Sequence, residues 1–219
     1  MPAPDETATR RSLVEAARSL SALGLTHGTS GNLSVRWGAG LLITPSGLPY
    51  DRMEPESIVP LSMEGTTDHA LAPSSEWRFH RDILRARPEV NAVVHAHPIH
   101  ATAFAMCRRE IPAVHYMIAA AGGPTVRCSG YATFGTPELS ALALEALAGR
   151  TCCLLANHGI IATGPDLGRA MWLAVELETL CHQYAVALGV GAPVVLPDDE
   201  IARNVERFRS YGPGARREP

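Results

Sequence analysis

His95 and His97 flank one alanine in His95-Ala96-His97-Pro98, directly after the apolar run Ala92-Val93-Val94, and a third histidine follows in Asn157-His158-Gly159. Residues i and i+2 of a strand face the same side, so imidazoles at 95 and 97 converge if a strand delivers them. Three imidazoles around a divalent ion leave one coordination position open, the arrangement of a catalytic site and not a structural one. Zinc is the first choice by ligand softness and geometry, with other first-row ions as alternatives. Most of the remaining histidines, among them His27, His69, His80, His100 and His182, stand singly. Lone histidines are more often core or surface residues than ligands.

Glu76 is the acid/base candidate. A carboxylate at a helix start is ordinarily explained by the macrodipole alone. Here Ser74 and Ser75 precede it, and two hydroxyls beside exposed helix amides suit a phosphate. Gly31-Asn32 and Thr44-Pro45-Ser46-Gly47 are further turns of anion-binding composition, the first allowing close backbone approach to a ligand. Three such segments and a metal imply a small phosphorylated substrate whose carbon skeleton reaches the ion.

Punctuation and periodicity supply the elements that must hold these groups. Leu13, Val14, Ala17, Leu20 and Leu23 recur at helical spacing and stop at Gly24. Leu33 to Trp37 and Leu41 to Thr44, joined through Gly38 to Gly40, read as a hairpin. A helix is predicted from Ser74-Ser75 to just before Pro88, with a buried strand over Ala92 to Ala96. Thr136-Pro137-Glu138 reads as N-cap, N1 and N2 of a helix to about Ala148. Cys152 to Leu155 is a strand delivering His158, Thr163 to Asp166 opens the longest helix, ending near Gly189, and Ile201 to Arg209 forms a last short helix. The irregular alternation of strands and helices points to an α/β protein with a mixed, largely antiparallel central sheet sandwiched by helices, not to a doubly wound Rossmann fold. The 219 residues are read as one domain, with residues 1–8 and 212–219 as flexible tails.

A net charge of −3 argues against a nucleic-acid or polyanion surface. Met1 to Arg10 lacks the apolar run of a signal peptide, and the longest helix-like apolar segment carries Glu176, Glu178 and His182, so no membrane segment is expected. Five cysteines without a CxxC pair suit buried thiols in a reducing cytoplasm.

Gly31-Asn32-Leu33-Ser34, Thr44-Pro45-Ser46-Gly47, Ser74-Ser75-Glu76, His95-Ala96-His97-Pro98 and Asn157-His158-Gly159 resemble, in order, the motifs of the class II aldolase/adducin family, specifically its L-fuculose-phosphate aldolase branch. The resemblance runs from the first helix to about Arg209. It implies a three-layer α/β/α fold and a homotetramer with active sites between subunits, with zinc on His95, His97 and His158. It further implies phosphate binding by Gly31, Asn32, Ser46, Gly47, Ser74 and Ser75, with Glu76 transferring the proton and serving as a fourth ligand when substrate is absent. Tyr116 matches a tyrosine such aldolases place in a neighbour's site, and Tyr211 matches a second one by position only.

The chemistry agrees with the residues. A zinc ion bound through the carbonyl and hydroxyl oxygens of a ketose acts as a Lewis acid, so retro-aldol cleavage leaves a metal-stabilised enediolate. The expected products are dihydroxyacetone phosphate and an aldehyde. The chain contains no lysine, which excludes the lysine Schiff-base route. The substrate is expected to be L-fuculose 1-phosphate or a 5-deoxyribulose or 5-(methylthio)ribulose 1-phosphate. Alternatives within the family are 4-epimerases, which typically carry Asp at the position of Glu76, decarboxylases and dehydratases. A non-catalytic adducin-like domain would lose the ligand histidines, and a zinc hydrolase would leave the phosphate-type turns without a role.

Overall fold

The computed structural model describes residues 5–209. Six strands form one sheet: β1 (Asn32–Trp37), β2 (Gly40–Ile43), β3 (Val59–Ser62), β4 (Ala92–Ala96), β5 (Cys152–Leu155) and β6 (Gly159–Gly164), in the order β3-β2-β1-β4-β6-β5. Every pairing between these strands is antiparallel. The parallel component is an isolated bridge from Cys128 to Leu154.

Side-chain alternation divides the core in two. Leu33, Leu42, Val94, Leu154 and Ile160 face α1 (Glu6–Ala22), α3 (Ile99–Met106), α5 (Leu167–Val190) and α6 (Asp198–Arg209). Leu41, Ile43, Val93, Leu155 and Ile161 face α2 (Trp77–Ala86) and α4 (Pro137–Ala146). The result is the expected α/β/α sandwich. Among the described residues no helix is long and apolar enough to cross a membrane.

Local signals explain most boundaries. The Asp5 side chain accepts from Thr7 N, so α1 begins at Glu6, inside the stretch expected to be a tail. Thr136 caps α4 by accepting from Leu139 N with Pro137 at the first position, and Asp166 caps α5 through Arg169 N. Thr163 and Gly164 are corrected from helix start to the end of β6, where they pair with Val93 and Ala92. β3, α3 and β6 were missed: β3 is short and contains Pro60, α3 has only eight residues and little amphipathic periodicity, and Gly159 to Gly164 carries too little alternation to announce a strand.

The central strand β4 carries the histidine pair, with His95 opposite Asn32 on β1 and opposite Ile161 on β6. Gly159 opens β6 where the backbones crowd. A Cβ there would lie 2.4 Å from the Ala96 carbonyl oxygen and 2.6 Å from His97 Cδ2. Gly159→Ala is therefore expected to lower stability by about 1–3 kcal/mol, read as a drop in denaturation midpoint with unchanged helix content. An unchanged midpoint would show that the β4–β6 junction yields freely.

Candidate active site

The cleft lies at the end of β4, roofed by the start of α2 and the β5–β6 turn. His95 and His97 leave the strand on its α2 face. His158 sits in the turn, next to Asn157, whose φ of 54° is left-handed. Asn has a lower barrier to that conformation than most residues. Asn157 N donates to Ala105 O, and Arg108 donates to Asn157 Oδ1, so Asn157 ties the turn to the end of α3 and the residues just after it.

The imidazoles meet in a triangle, each ring centroid 4.8–4.9 Å from the others. His95 Nε2 is 2.9 Å from His97 Nε2. His95 Nδ1 lies 2.8 Å from the Ile160 carbonyl oxygen, which can only accept, so His95 carries a proton on Nδ1 and turns Nε2 toward the cluster. Glu76 closes the fourth side, its Oε2 3.0 Å from His95 Nε2 and its Oε1 3.2 Å from His158 Nε2.

Glu76 is buried, and Oε1 has no hydrogen-bond donor. Burial raises its pKa, but His95, His158 and the Asn32 amide more than offset this, and the carboxyl is held well below the usual range. Burial likewise pushes His97 down to about 3 and His158 down to about 4, leaving both neutral with free lone pairs. Burial also opposes the charge on His95, but Glu76 overcomes it and raises the pKa.

These groups fit a divalent cation. The three imidazole ligand atoms lie within 4.8 Å of one another, and the His95–His97, His95–Glu76 and His158–Glu76 spacings of 2.9, 3.0 and 3.2 Å are close to the roughly 3.3 Å between ligand atoms of a tetrahedral site with ~2.05 Å bonds. Lone pairs and an anion packed so closely require positive charge between them. His95, His97 and His158 form the metal-capable cluster found among the described residues.

Glu76 sits at the N-cap of α2, but its carboxylate does not cap the helix. The reading as a first-turn carboxylate is corrected on that point. Ser74 Oγ accepts from Glu76 N and Ser74 O from Trp77 N, which leaves the carboxylate free to turn to the histidines.

The rest of the cleft, about 380 Å³, is lined by Thr29, Ser30, Gly31, Asn32, Ser46, Gly47, Ser74 and Ser75 together with Glu76, His97 and His158. Ser46 N donates to Ala72 O and Ser74 N to Thr44 O, zipping the two serine-bearing turns side by side. Gly31, at φ 103°, is required by β4: a Cβ would meet the His95 carbonyl oxygen at 2.9 Å. Its smallness thus serves backbone packing as well as any ligand.

Two features around the cleft escaped the sequence reading. Tyr131 and Phe134, both largely exposed, form an aromatic wall. They come from a loop between glycines, Gly130 to Gly135, whose spacing was the available signal. His80, read as bland, is fully buried and bonded to Asn32 and Ser34. Tyr116 is not brought to the cleft of its own chain; it lines another hollow with Met117, Trp172 and Asn204 and is half exposed. Tyr211 lies outside the described residues.

An α/β/α sandwich presenting three histidines and a carboxylate beside hydroxyl-rich turns is the frame of a metal-dependent lyase. The class II aldolase and adducin N-terminal domain matches residues 11–185, and the chain belongs to this family. A 5-methylthioribulose-1-phosphate/5-deoxyribulose-1-phosphate aldolase of Rhodospirillum rubrum is 53% identical over 208 residues, covering 95% of this chain and 94% of that protein. An L-fuculose phosphate aldolase of Escherichia coli K12 is 47% identical over 203 residues, covering 92% and 94%. A solved L-fuculose 1-phosphate aldolase superposes with a TM-score of 0.90 at 39% identity, covering 92% of this chain and 96% of that one. The chain is an aldolase of class II, a carbon–carbon lyase.

One divalent ion per chain is expected by elemental analysis, lost in His97→Ala and His158→Ala. Loading should weaken as pH falls, because the ion must displace the proton that Glu76 favours on His95. An ion retained by both variants would place the metal elsewhere.

Proposed function

We propose that this aldolase cleaves a ketose 1-phosphate to dihydroxyacetone phosphate and a short aldehyde, with one zinc ion held by His95, His97 and His158. The observation that carries the reading is a single cleft joining the histidine cluster and Glu76 at one end to Ser46, Gly47, Ser74 and Ser75 at the other. When bound, the ion supplies Lewis acidity at the ketose carbonyl and hydroxyl oxygens, the electron sink that retro-aldol cleavage needs.

The remaining work falls to the chain's own groups. Gly31, Asn32, Ser46, Gly47, Ser74 and Ser75 receive the phosphate through hydroxyl and amide donors, which anchors the substrate's carbon chain toward the histidines. Glu76, kept ionised by His95 and Asn32 against its burial, is the base that takes the proton from dihydroxyacetone phosphate in the condensation direction; in cleavage it first takes up a proton from solvent and gives it to the released carbon. Without substrate the same carboxylate completes the ligand set. Tyr131 and Phe134 suit an apolar substrate end, and L-fuculose, 5-deoxyribulose and 5-(methylthio)ribulose 1-phosphates all end in a methyl or methylthio group.

Tyr116 is assigned to the cleft of a neighbouring copy in a symmetric homotetramer, where it handles the proton on the oxygen that becomes the aldehyde. Its exposure and its distance from its own cleft support this. Free thiols at Cys107, Cys128, Cys152, Cys153 and Cys181 agree with a cytoplasmic setting.

The direct test offers the zinc-loaded protein a panel of ketose 1-phosphates and measures dihydroxyacetone phosphate. An epimer or a decarboxylated ketose as product would move the chain to another reaction of its family. Glu76→Gln should keep the phosphate site but lose turnover by about 100-fold or more. A loss below about tenfold would make Glu76 a structural residue.

Tyr116→Phe should lower turnover while metal content and a tetrameric sedimentation coefficient stay unchanged. A fully active monomer would remove the shared-site arrangement.

A further inference from the structure

A polar chain runs behind the cleft and ends on Glu76. Asn32 and Ser34 alternate onto the α2 face of β1, and His80, four residues beyond Glu76 on the same helix, spans both. Ser34 Oγ lies 2.7 Å from His80 Nδ1, His80 Nε2 bonds Asn32 Oδ1, and Asn32 Nδ2 donates to Glu76 Oε2 at 3.1 Å. Ser34 and His80 are fully buried, and Asn32 and Glu76 nearly so.

Donor and acceptor chemistry allows this chain only one direction. The Asn32 atom facing the Glu76 carboxylate is the amide nitrogen, which donates to it. Asn32 Oδ1 then faces His80 and must accept, which puts the His80 proton on Nε2. Burial pushes the His80 pKa down to about 3, so the ring is neutral, its Nδ1 is left to accept, and the Ser34 hydroxyl donates to it. Turning the Asn32 amide over would set its oxygen against the carboxylate.

We infer that His80 is a positioning residue for Glu76, holding the Asn32 amide through its Nε2 proton so that the amide nitrogen fixes the carboxylate against the histidine cluster. The inference rests on the reading of Glu76 as the group that moves the proton. Asn32 also lines the cleft, and its Nδ2 carries a second hydrogen, so one side chain can link a bound phosphate to the placement of the carboxylate. Such supporting contacts around a metal site commonly matter about 10–100-fold.

The unaltered protein gives the first test. Nitrogen NMR of histidine-labelled protein should show His80 as the Nε2–H tautomer, and an Nδ1–H tautomer would overturn the inference because it demands the reversed Asn32 amide. The second test reads the proton step alone, as exchange of solvent deuterium into dihydroxyacetone phosphate at saturating concentration. His80→Gln retains an N–H at the Nε2 position and should exchange within about threefold of wild type. His80→Asn reaches Ser34 but not Asn32 and should fall about tenfold or more in kcat, with metal content unchanged. Equal behaviour of the two variants, whether active or impaired, would overturn the assignment. Wild-type protein that is metal-loaded yet neither cleaves nor exchanges would instead count against the proposed function, while the tautomer still decides the direction of the chain.

Discussion

A carboxylate taken out of water must find compensating charge and donors, and the architecture around Glu76 answers that requirement. His95 and His158 approach its two oxygens, and Asn32 supplies an amide donor. Each comes from a different element: β4, the β5–β6 turn and β1. The fold must therefore hold these three elements to within a fraction of an ångström of the start of α2, or the anion is left uncompensated. A helix start alone would leave the carboxylate to its own backbone amides, but Ser74 takes part of that role and releases it for the cluster.

The antiparallel sheet achieves this placement through register. Asn32 and His95 are direct cross-strand partners, so a slip of one residue would send Asn32 and Ser34 to the α1/α5 face and break the polar chain at once. Gly31 and Gly159 occur where neighbouring backbone comes too near for a side chain, one against the His95 carbonyl and one against that of Ala96. Both flank the histidine pair. The close approach of β1 and β6 to the end of β4 is what narrows three imidazoles to one point.

Much of the site was legible because its chemistry needs residue types at short, fixed spacing. His95 and His97 announce themselves by period 2 at a strand end, and helix caps at Thr136 and Asp166 are read locally. What escaped depends on tertiary neighbours. His80 is bland by spacing, and only the facing strand turns it into a bridge between Ser34 and Asn32. The role of Gly31 looked like ligand approach and is shared with strand packing. β6 was invisible because its residues are buried on both faces, which erases the alternation that marks a half-exposed strand. Tyr131 and Phe134 reach the cleft because Arg78 donates to the Gly135 carbonyl and ties their loop to α2, a contact across 57 residues that no local pattern carries.

The distribution of positive charge is the counterpart of the buried anion. With no lysine, the chain has 19 arginines as its cationic side chains, and among the described residues none lines the cleft. Several brace backbone carbonyls elsewhere: Arg36 donates to Leu84, Arg87 and Val90, Arg18 to Tyr50 and Met53, and Arg150 to Thr125. A guanidinium beside Glu76 would compete with the histidines for its oxygens and fix it as a salt bridge, which the proton-carrying role proposed for it could not tolerate. Hydroxyls and amides can receive a phosphate without that competition, because neutral donors exert little pull on a carboxylate across the cleft. Among the described residues, a cleft lining without arginine thus keeps the charge balance of the site in the hands of the three histidines and Glu76.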